Sequence, residues 1–538
     1  MQLFGDGHEG LHQLVVHLQP LISQIELPWL KRYWTESIGI CKIRKAAKSG
    51  RRALKNSEIS RRQMLKVPLI GATIAATSQS GLVCEALGQP VPASSPAPPG
   101  AFAHNVEAVG YTDLDHRPAF KMAIRQVGER WYLYTGHFWH SGWSIVDVTD
   151  PAKPETVKFV PYLGTNTWTL QIDLSGDTMV TALEKPFANF GGDPDAPFGE
   201  GVLIWDIADP INPKQLSHYR TGGTGTHRNL YPSGRYVHLA AGMPGYRGNI
   251  YVILDISDRS NPREAGRWWV PGQHEAGGES FAAAKPAADQ ETADRYRLRL
   301  KPQCMCSAFC ASTGEDVSLH GPPYVTGDLV YLPYGAAGIV VLDISDVSQP
   351  RQVGGLSFSP PFHSRFGVHS VLPIPERGIA FANSENVTYG RGPMHHASIV
   401  DISDSSEPFL LSLLPEPVPP EGAPYSDFTT RGGWRGPHNI NHHQHHPDVQ
   451  KQGDLFYIAH FNAGLRVYDV SNTRLPREVG YFIPPEPVRR YGPMPEDKLV
   501  VQTEDVVVDR RGFIYITDKN QGLWILRYTG PRPETDRT

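Results

Sequence analysis

The chain has 538 residues, and 51 Lys and Arg against 55 Asp and Glu give it a formal net charge of −4. This balance excludes a strongly basic protein and gives no reason to expect nucleic acid or an anionic membrane as a partner. The 52 glycines and 48 prolines are typical of a turn-rich β protein.

The N-terminal part of the chain contains a predicted export signal. Residues 60–66 read Ser-Arg-Arg-Gln-Met-Leu-Lys, which resembles a twin-arginine signal. The apolar run at 67–82 is too short and too polar for a membrane span. We therefore expect 58–100 to be signal and linker, read by the Tat export machinery, with the mature protein periplasmic or secreted. Residues 1–57 are interpreted as an extension or a wrongly chosen start, and the alternative for the signal is a chance Arg-Arg pair in a basic tail.

Further along the chain, one pattern occurs six times. Each copy is a short apolar strand that ends in aspartate and is followed by a small-polar turn and a proline. The copies occupy residues 146–154, 205–213, 254–262, 342–350, 400–408 and 468–476. An aspartate at a strand end accepts N–H groups of the turn, and proline presets the bend, so the pattern is structural. One such repeat cannot bury its own apolar face, and the copies must pack side by side.

Each repeat has the order of a four-stranded propeller blade. A seventh unit, at 504–528, lacks its last strand. The missing strand is predicted at 106–111, where Glu-Ala-Val-Gly-Tyr resembles the Glu-Val-Gly-Tyr of 478–481. The sequence thus predicts an all-β fold, a seven-bladed β-propeller over residues 104–530 whose last blade is closed by the N-terminal strand. Residues 531–538 would be a tail.

The Asp-Ile-Ser-Asp turns resemble those of the LVIVD-repeat proteins, a bacterial family of predicted propellers. The resemblance covers essentially all of residues 104–530. It implies the propeller fold and says almost nothing about chemistry.

Several histidines share one register when the blades are aligned on the glycine of the first tight turn. His227, His320 and His446 each lie seven residues before that glycine, and His369 lies nine before it in a blade with a longer turn. The start of a blade's first strand borders the central channel, so these residues are expected to converge in space.

These residue types are typical of a transition-metal site. Neutral imidazole suits iron, copper and zinc. We predict that the four aligned histidines bind iron(II), with copper or zinc as alternatives. Glu504 and Asp505, at the same register in the seventh unit, would act catalytically by orienting a ligating ring. The alternative is a polar channel lining without metal.

The sixth blade leaves its histidine open, because residues 437–446 contain several of them. His438 and His445 are alternatives to His446. Such a tract can also be an exposed, adventitious metal binder.

Four long insertions, at 184–200, 272–318, 384–397 and 414–445, are predicted to emerge on the face where the first strands begin and to roof the histidines. Their aromatic residues indicate a pocket for an apolar or aromatic ligand, although each could simply pack its own loop. They are Phe187, Phe190, Tyr389, Tyr425, Phe428 and Trp434. His395 and His396 end one insertion and are predicted to act there as acid or base.

Three cysteines of the predicted mature part, Cys304, Cys306 and Cys310, are clustered. They allow either one local disulfide and a free thiol or a soft-metal site.

The predicted function is that of an exported metal-dependent oxidoreductase of the oxygenase type, acting on an apolar or aromatic small molecule. The expected arrangement is similar to that of the carotenoid-cleavage oxygenases, which are propellers that hold ferrous iron with four histidines. That similarity is architectural only, because no sequence motif of that family is present. A non-catalytic binding propeller and a metal-dependent hydrolase are the alternatives.

Overall fold

The structure is a computed structural model, and it describes residues 97–280, 317–358, 366–387 and 395–533. The chain divides into two units, Met1–Val83 and Cys84–Thr538, and every described residue belongs to the second. Within those ranges, no helix has the length and apolarity that crossing a membrane requires. The twin-arginine segment, Tyr389 and the three clustered cysteines lie outside the described residues. Export, localisation and the domain boundaries therefore stay predictions.

The described residues form 28 strands in seven four-stranded antiparallel sheets. Two strands come first in the chain, β1 (Phe102–His104) and β2 (Val106–Thr112). Blade 1 contains β3 (Ala119–Val127), β4 (Arg130–His137), β5 (Gly142–Asp147) and β6 (Glu155–Pro161). Blade 2 contains β7 (Ile172–Ser175), β8 (Thr178–Leu183), β9 (Gly201–Asp206) and β10 (Lys214–Tyr219). Blade 3 contains β11 (Gly225–Leu230), β12 (Tyr236–Gly242), β13 (Asn249–Asp255) and β14 (Arg263–Trp268).

The remaining blades follow the same order along the chain. Blade 4 contains β15 (Tyr324–Thr326), β16 (Leu329–Pro333), β17 (Ile339–Asp343) and β18 (Arg351–Leu356). Blade 5 contains β19 (Phe366–Ile374), β20 (Ile379–Glu385), β21 (Ala397–Asp401) and β22 (Phe409–Leu413). Blade 6 contains β23 (Leu455–Ala459), β24 (Leu465–Asp469) and β25 (Arg477–Ile483), and blade 7 contains β26 (Thr503–Val508), β27 (Phe513–Asp518) and β28 (Leu523–Tyr528). In the described ranges the helices are α1 (Phe428–Arg431) and three single 3-10 turns, Ala188–Phe190, Glu275–Gly277 and Pro375–Arg377.

The ring closes as the sequence predicts. β2 pairs with β28 as the outermost strand of blade 7, with Val106 opposite Tyr528 and Thr112 opposite Leu523. The inner strands β26 and β3 contact each other, so blade 7 packs on blade 1. The seven-bladed β-propeller and its closure by the N-terminal strand are therefore confirmed.

Blade 6 differs from the prediction at both of its edges. β1 adds an outer strand to β25, with Phe102 opposite Ile483. On the inner side, the first strand is reduced to one bridge between Ile440 and Ile458. The N-terminal segment consequently pairs with two neighbouring blades.

The repeated aspartates play the structural role that their position indicates. In each of the six repeats, Oδ1 of the aspartate accepts the N–H of the residue two positions later, at 2.9–3.0 Å. The aspartates are Asp147, Asp206, Asp255, Asp343, Asp401 and Asp469.

Packing between blades explains why a glycine follows in the fourth strand. A bulge precedes Gly266 in β14, Gly354 in β18 and Gly110 in β2. A Cβ at these positions would collide with a backbone carbonyl of the next blade's proline turn. The turn and the glycine are thus two halves of one interblade contact, and bulges of this kind recur where a strand must bend.

Histidines buried between the sheets make stability depend on pH. Nδ1 of His238, in blade 3, lies 2.7 Å from the hydroxyl of Tyr251, and burial lowers the pKa of His238 to about 3. An unfolded histidine has a pKa near 6.5, so between these values the unfolded state binds a proton that the native state does not, and stability falls as pH falls.

We expect the free energy of unfolding of the wild type to drop by about 2 kcal/mol more than that of His238→Gln between pH 8 and pH 5. Urea unfolding at the two pH values measures both drops. Equal drops would contradict the assigned pKa.

Candidate functional site

Histidines from four consecutive blades lie side by side at the channel. Ring centroids are 4.4 Å apart for His227 and His320, 4.9 Å for His320 and His369, and 4.7 Å for His369 and His438. All four side chains are buried. The structure thus brings together three of the four histidines predicted for the metal site, and it adds one of the two alternatives.

Inner-strand backbone positions these four rings. His227 lies in β11 and His369 in β19. The N–H of His320, just before β15, donates to the carbonyl of Pro333 at 3.1 Å. The N–H of His438 donates to the carbonyl of Ala459 at 2.9 Å. Each ring is therefore carried by hydrogen-bonded backbone at the inner edge of a blade.

His446 lies outside this cluster, and His438 takes the place predicted for it. Nδ1 of His446 accepts the N–H of Asp448, and the ring of His446 lies 6.4 Å from that of His445. The register counted back from Gly453 fails in blade 6 because residues 444–448 form turns between the inner strand and β23. The tract is also largely buried rather than exposed.

Glu385, which the sequence analysis missed, lies among the histidines. Its Oε2 is 3.0 Å from Nε2 of His320 and 3.8 Å from Nε2 of His369, and its Oε1 is 3.5 Å from Nε2 of His438. Glu385 ends β20, a second strand, and Glu184 directly follows β8, the second strand of blade 2. An acidic residue at the end of each of these two second strands was the available signal.

The other nitrogen of three rings is held from behind. Nδ1 of His227 lies 2.8 Å from Oε2 of Glu184. Nδ1 of His369 lies 2.7 Å from the hydroxyl of Ser370, and Nδ1 of His438 lies 2.8 Å from the carbonyl of Glu504. Hydrogen bonds of this kind fix ring orientation at metal sites.

Two buried ring nitrogens of the cluster make no hydrogen bond within the described ranges. Within the described part of the chain, Nε2 of His227 and Nε2 of His369 have no hydrogen-bond partner. A buried polar atom without a partner is costly unless something else binds it.

Electrostatics keep the rings neutral and one carboxylate charged. Burial lowers the pKa of His320 to about 4 and those of His227 and His369 well below their usual range. Burial acts to raise the pKa of Glu385, but the hydrogen bond from His320 and the nearby guanidinium of Arg228 lower it. Burial raises the pKa of Glu184 to about 8. Neutral imidazoles beside an anionic carboxylate are the protonation state in which metal ligands act.

Two buried ion pairs complete the layer around the histidines. Glu504 pairs with Lys519, and Oδ1 of Asp505 pairs with Nζ of Lys121 at 2.6 Å. Oδ2 of Asp505 accepts the N–H of Met122 at 3.0 Å, so both of its oxygens are used by blade 1. Of the two predicted orienting carboxylates, only Glu504 contacts a histidine of the cluster, through Nδ1 of His438.

An aromatic pocket opens onto the cluster. It shares His227, His320, Glu385, His438 and Glu504 with the site described above. Its apolar wall consists of Phe120, Phe138, Trp168, Leu170, Phe187, Phe190, Val387 and Trp434. Members of three of the predicted insertions therefore line the pocket.

The predicted aromatic residues divide into two groups. The ring of Phe190 packs edge-on against Trp434 at 5.6 Å and against Trp168 at 5.1 Å, within the pocket wall. Tyr425 and Phe428 instead pack together away from it, with centroids 5.5 Å apart. The interpretation as loop packing therefore fits these two.

His395 and His396 do not line the pocket. His396 uses Nε2 for the carbonyl of Gly367 at 2.8 Å and packs against Phe358. Burial lowers the pKa of His395 to about 3 and that of His396 to about 4. Their predicted role as acid or base gains no support from this placement.

A protein-family model described as LVIVD repeat matches three parts of the chain, residues 227–269, 324–356 and 446–482. No curated protein matches it by sequence.

The chain is similar to several solved structures at low sequence identity. The periplasmic gluconolactonase of Pseudomonas aeruginosa is 11% identical, with a TM-score of 0.45, and the match covers 72% of this chain and 96% of that one. A protein from Lactobacillus plantarum is 13% identical, with a TM-score of 0.43 and coverages of 77% and 98%. The computationally designed Ika8 protein is 8% identical, with a TM-score of 0.40 and coverages of 78% and 98%.

Proposed function

The chain belongs to the LVIVD-repeat β-propeller proteins, and we propose that it is a metal-dependent oxidoreductase of the oxygenase type. Iron(II) would bind at His320, His369 and Glu385, with His227 and His438 as further ligands. The observation that carries the proposal is the group of Nε2 atoms around one buried carboxylate, at 3.0–3.8 Å.

The residues present fit a bound metal ion. One nitrogen each of His320 and His369 and one oxygen of Glu385 lie within 4.8 Å of one another. Metal–ligand bonds of about 2.1 Å place neighbouring ligand atoms about 3.0–3.4 Å apart, so the observed spacings need little adjustment. The buried, unpartnered Nε2 atoms of His227 and His369 would gain a partner at the same time.

The donor set favours iron(II). Two histidines and one carboxylate with open positions are the ligands of non-haem iron(II) oxygenases. When bound, iron(II) would supply the activation of dioxygen. An additional neutral imidazole on either side would add a ligand without changing the net charge of the site.

The protein's own contribution would be to bind and orient the substrate. Aromatic side chains from blades 1 and 2 and from the insertions favour an apolar or aromatic molecule, and they exclude water from the cluster. Glu504, through His438, and Glu184, through His227, would hold the rings in place.

Elemental analysis and nitric oxide binding test the proposal. Full-length protein purified without oxygen should contain iron, and its iron(II) form should bind nitric oxide, a dioxygen analogue, with the spectrum of a mononuclear non-haem site. His320→Ala should lose that iron and that spectrum, and apolar aromatic compounds should perturb the wild-type spectrum. A folded wild-type protein that binds neither iron nor nitric oxide would refute the proposal.

A further inference from the structure

A second group of metal-ligand side chains lies apart from the site described above. It consists of Asp173 in β7 of blade 2 and His443 and His445 in the tract before β23 of blade 6. Oδ1 of Asp173 is 2.9 Å from Nδ1 of His443 and 3.5 Å from Nε2 of His445. The two groups share no residue.

The carboxylate of this second group is fixed by the backbone. Oδ2 of Asp173 accepts the N–H of Tyr231 at 2.7 Å, and Oδ1 accepts the N–H of Leu174 at 2.8 Å. Asp173 is 1% exposed and His443 is 4% exposed. The carboxylate is therefore preorganised, and of the three side chains only that of His445 is partly exposed to solvent.

The imidazoles still have capacity to bind. Among the residues that the structure describes, both ring nitrogens of His445 have no hydrogen-bond partner, whereas Nδ1 of His443 is hydrogen-bonded to Oδ1 of Asp173 and would exchange that bond for one to the metal. A His-rich turn that only packed against Asp173 would be expected to satisfy these atoms with protein groups.

Lys121, Arg228 and His442 are buried near histidines of both groups. His442 feels the charges of Lys121 and Arg228 and those of His443 and His438, and its pKa is lowered well below its usual range, first by burial. His438 and His443 are five residues apart, which allows a separation of up to roughly 17 Å. One tract of blade 6 thus supplies a histidine to the first site and two to the second group.

We propose that Asp173, His443 and His445 bind a second divalent metal ion, of which zinc fits the ligands best. One nitrogen of each histidine and one oxygen of Asp173 lie within 4.8 Å of one another. Two histidines and one aspartate, with water in the fourth position, can form a zinc site. Oδ1 of Asp173 lies 2.9 Å from the nitrogen of His443 and 3.5 Å from that of His445, close to the spacing of about 3.3 Å between neighbouring ligand atoms of tetrahedral zinc.

The bound ion would link blades that are not neighbours in the ring. Blade 7 and blade 1 separate blade 6 from blade 2 on the shorter way round. A metal bond across the channel constrains the ring where the inner strand of blade 6 is reduced to a single bridge. The role is structural, because a metal that binds only the native state stabilises it.

Zinc titration of metal-free full-length protein tests the proposal. His320→Ala removes the first site, and this variant should still bind one zinc per chain. Adding His445→Gln to it should weaken that zinc binding by about 100-fold or more, whereas adding His238→Gln, a buried histidine that contacts Tyr251 and is not one of the three ligands, should not. No zinc bound by His320→Ala, or an affinity unchanged by His445→Gln, would overturn the second site.

X-ray absorption at the zinc edge of the His320→Ala protein gives an answer that needs no variant of the tract. Scattering from two imidazoles and one or two oxygens is expected, and a spectrum without imidazole would refute the proposal. Failure of the proposed first site would give a different result. In that case the wild type and His320→Ala would bind the same single zinc ion, and His445→Gln would still remove it.

Discussion

Replacing Lys519 with methionine should lower the free energy of unfolding by about 3–5 kcal/mol, because the carboxylate of Glu504 would stay buried without its counter-ion. Both side chains are at most 1% exposed. Nζ of Lys519 also lies over the rings of Trp434 at 4.4 Å and Phe138 at 4.8 Å, and methionine would retain only the apolar part of these contacts. Urea unfolding followed by tryptophan fluorescence and circular dichroism measures the loss.

The double variant Glu504→Gln with Lys519→Met is the informative control. It removes both charges and keeps the side-chain volumes, so it should recover most of the lost stability. Lys158→Met, which removes an exposed lysine that bonds only Asn212 in the structure, should change the free energy of unfolding by less than about 0.5 kcal/mol. A loss below about 1 kcal/mol for Lys519→Met would mean that water or another cation reaches Glu504.

The blade count was predictable because the repeated aspartate turn is a local signal. It depends on a hydrogen bond between residues two positions apart, and it recurs in six of the seven blades. The register of His227 and His320 was predictable for the same reason, since short turns keep the first strand at a fixed distance from the glycine, and His369 required only an allowance for a longer turn. Counting residues back from the glycine pointed to His446 instead of His438, because the tract before β23 contains additional turns that have no local sequence pattern.

Glu385 could not be found from a register of first strands. It comes from the end of a second strand, and only the stacking of blade 5 against its neighbours brings it to three histidines at once. β1 was missed because its partner, β25, is distant in sequence: the closest pair, His104 and Tyr481, is 377 positions apart. Contacts between different blades, or between the N-terminal segment and a late blade, have no signal within the sequence of a single repeat.

Arg228 is a buried cation close to the carboxylates around the histidine cluster. The buried Arg228 guanidinium lies 5.0 Å from the ring of Phe120, and the carboxylates of Glu385, Glu184, Asp505 and Glu504 all favour its charged form, while burial lowers its pKa. A divalent ion among neutral histidines would add positive charge beside the carboxylate of Glu385, whose pKa is lowered. The proposed iron(II) would face Glu385 as Lys519 faces Glu504 and Lys121 faces Asp505.

Replacing Glu385 with glutamine should weaken iron(II) binding by at least about 100-fold, because it removes the one anionic ligand of the proposed set. Glu184→Gln should weaken it less, by about 10- to 100-fold, since Glu184 touches only Nδ1 of His227 and acts by orienting that ring. Glu200→Gln is the matched control: Glu200 is buried, but its Oε2 accepts N–H groups of Thr221 and Gly222, away from the histidines. Competition with a chelator of known affinity measures all three variants. If Glu385→Gln bound iron(II) within threefold of the wild type while Glu184→Gln did not, the carboxylate would be a neighbour of the metal and His227 a ligand, and the set would be one of histidines alone.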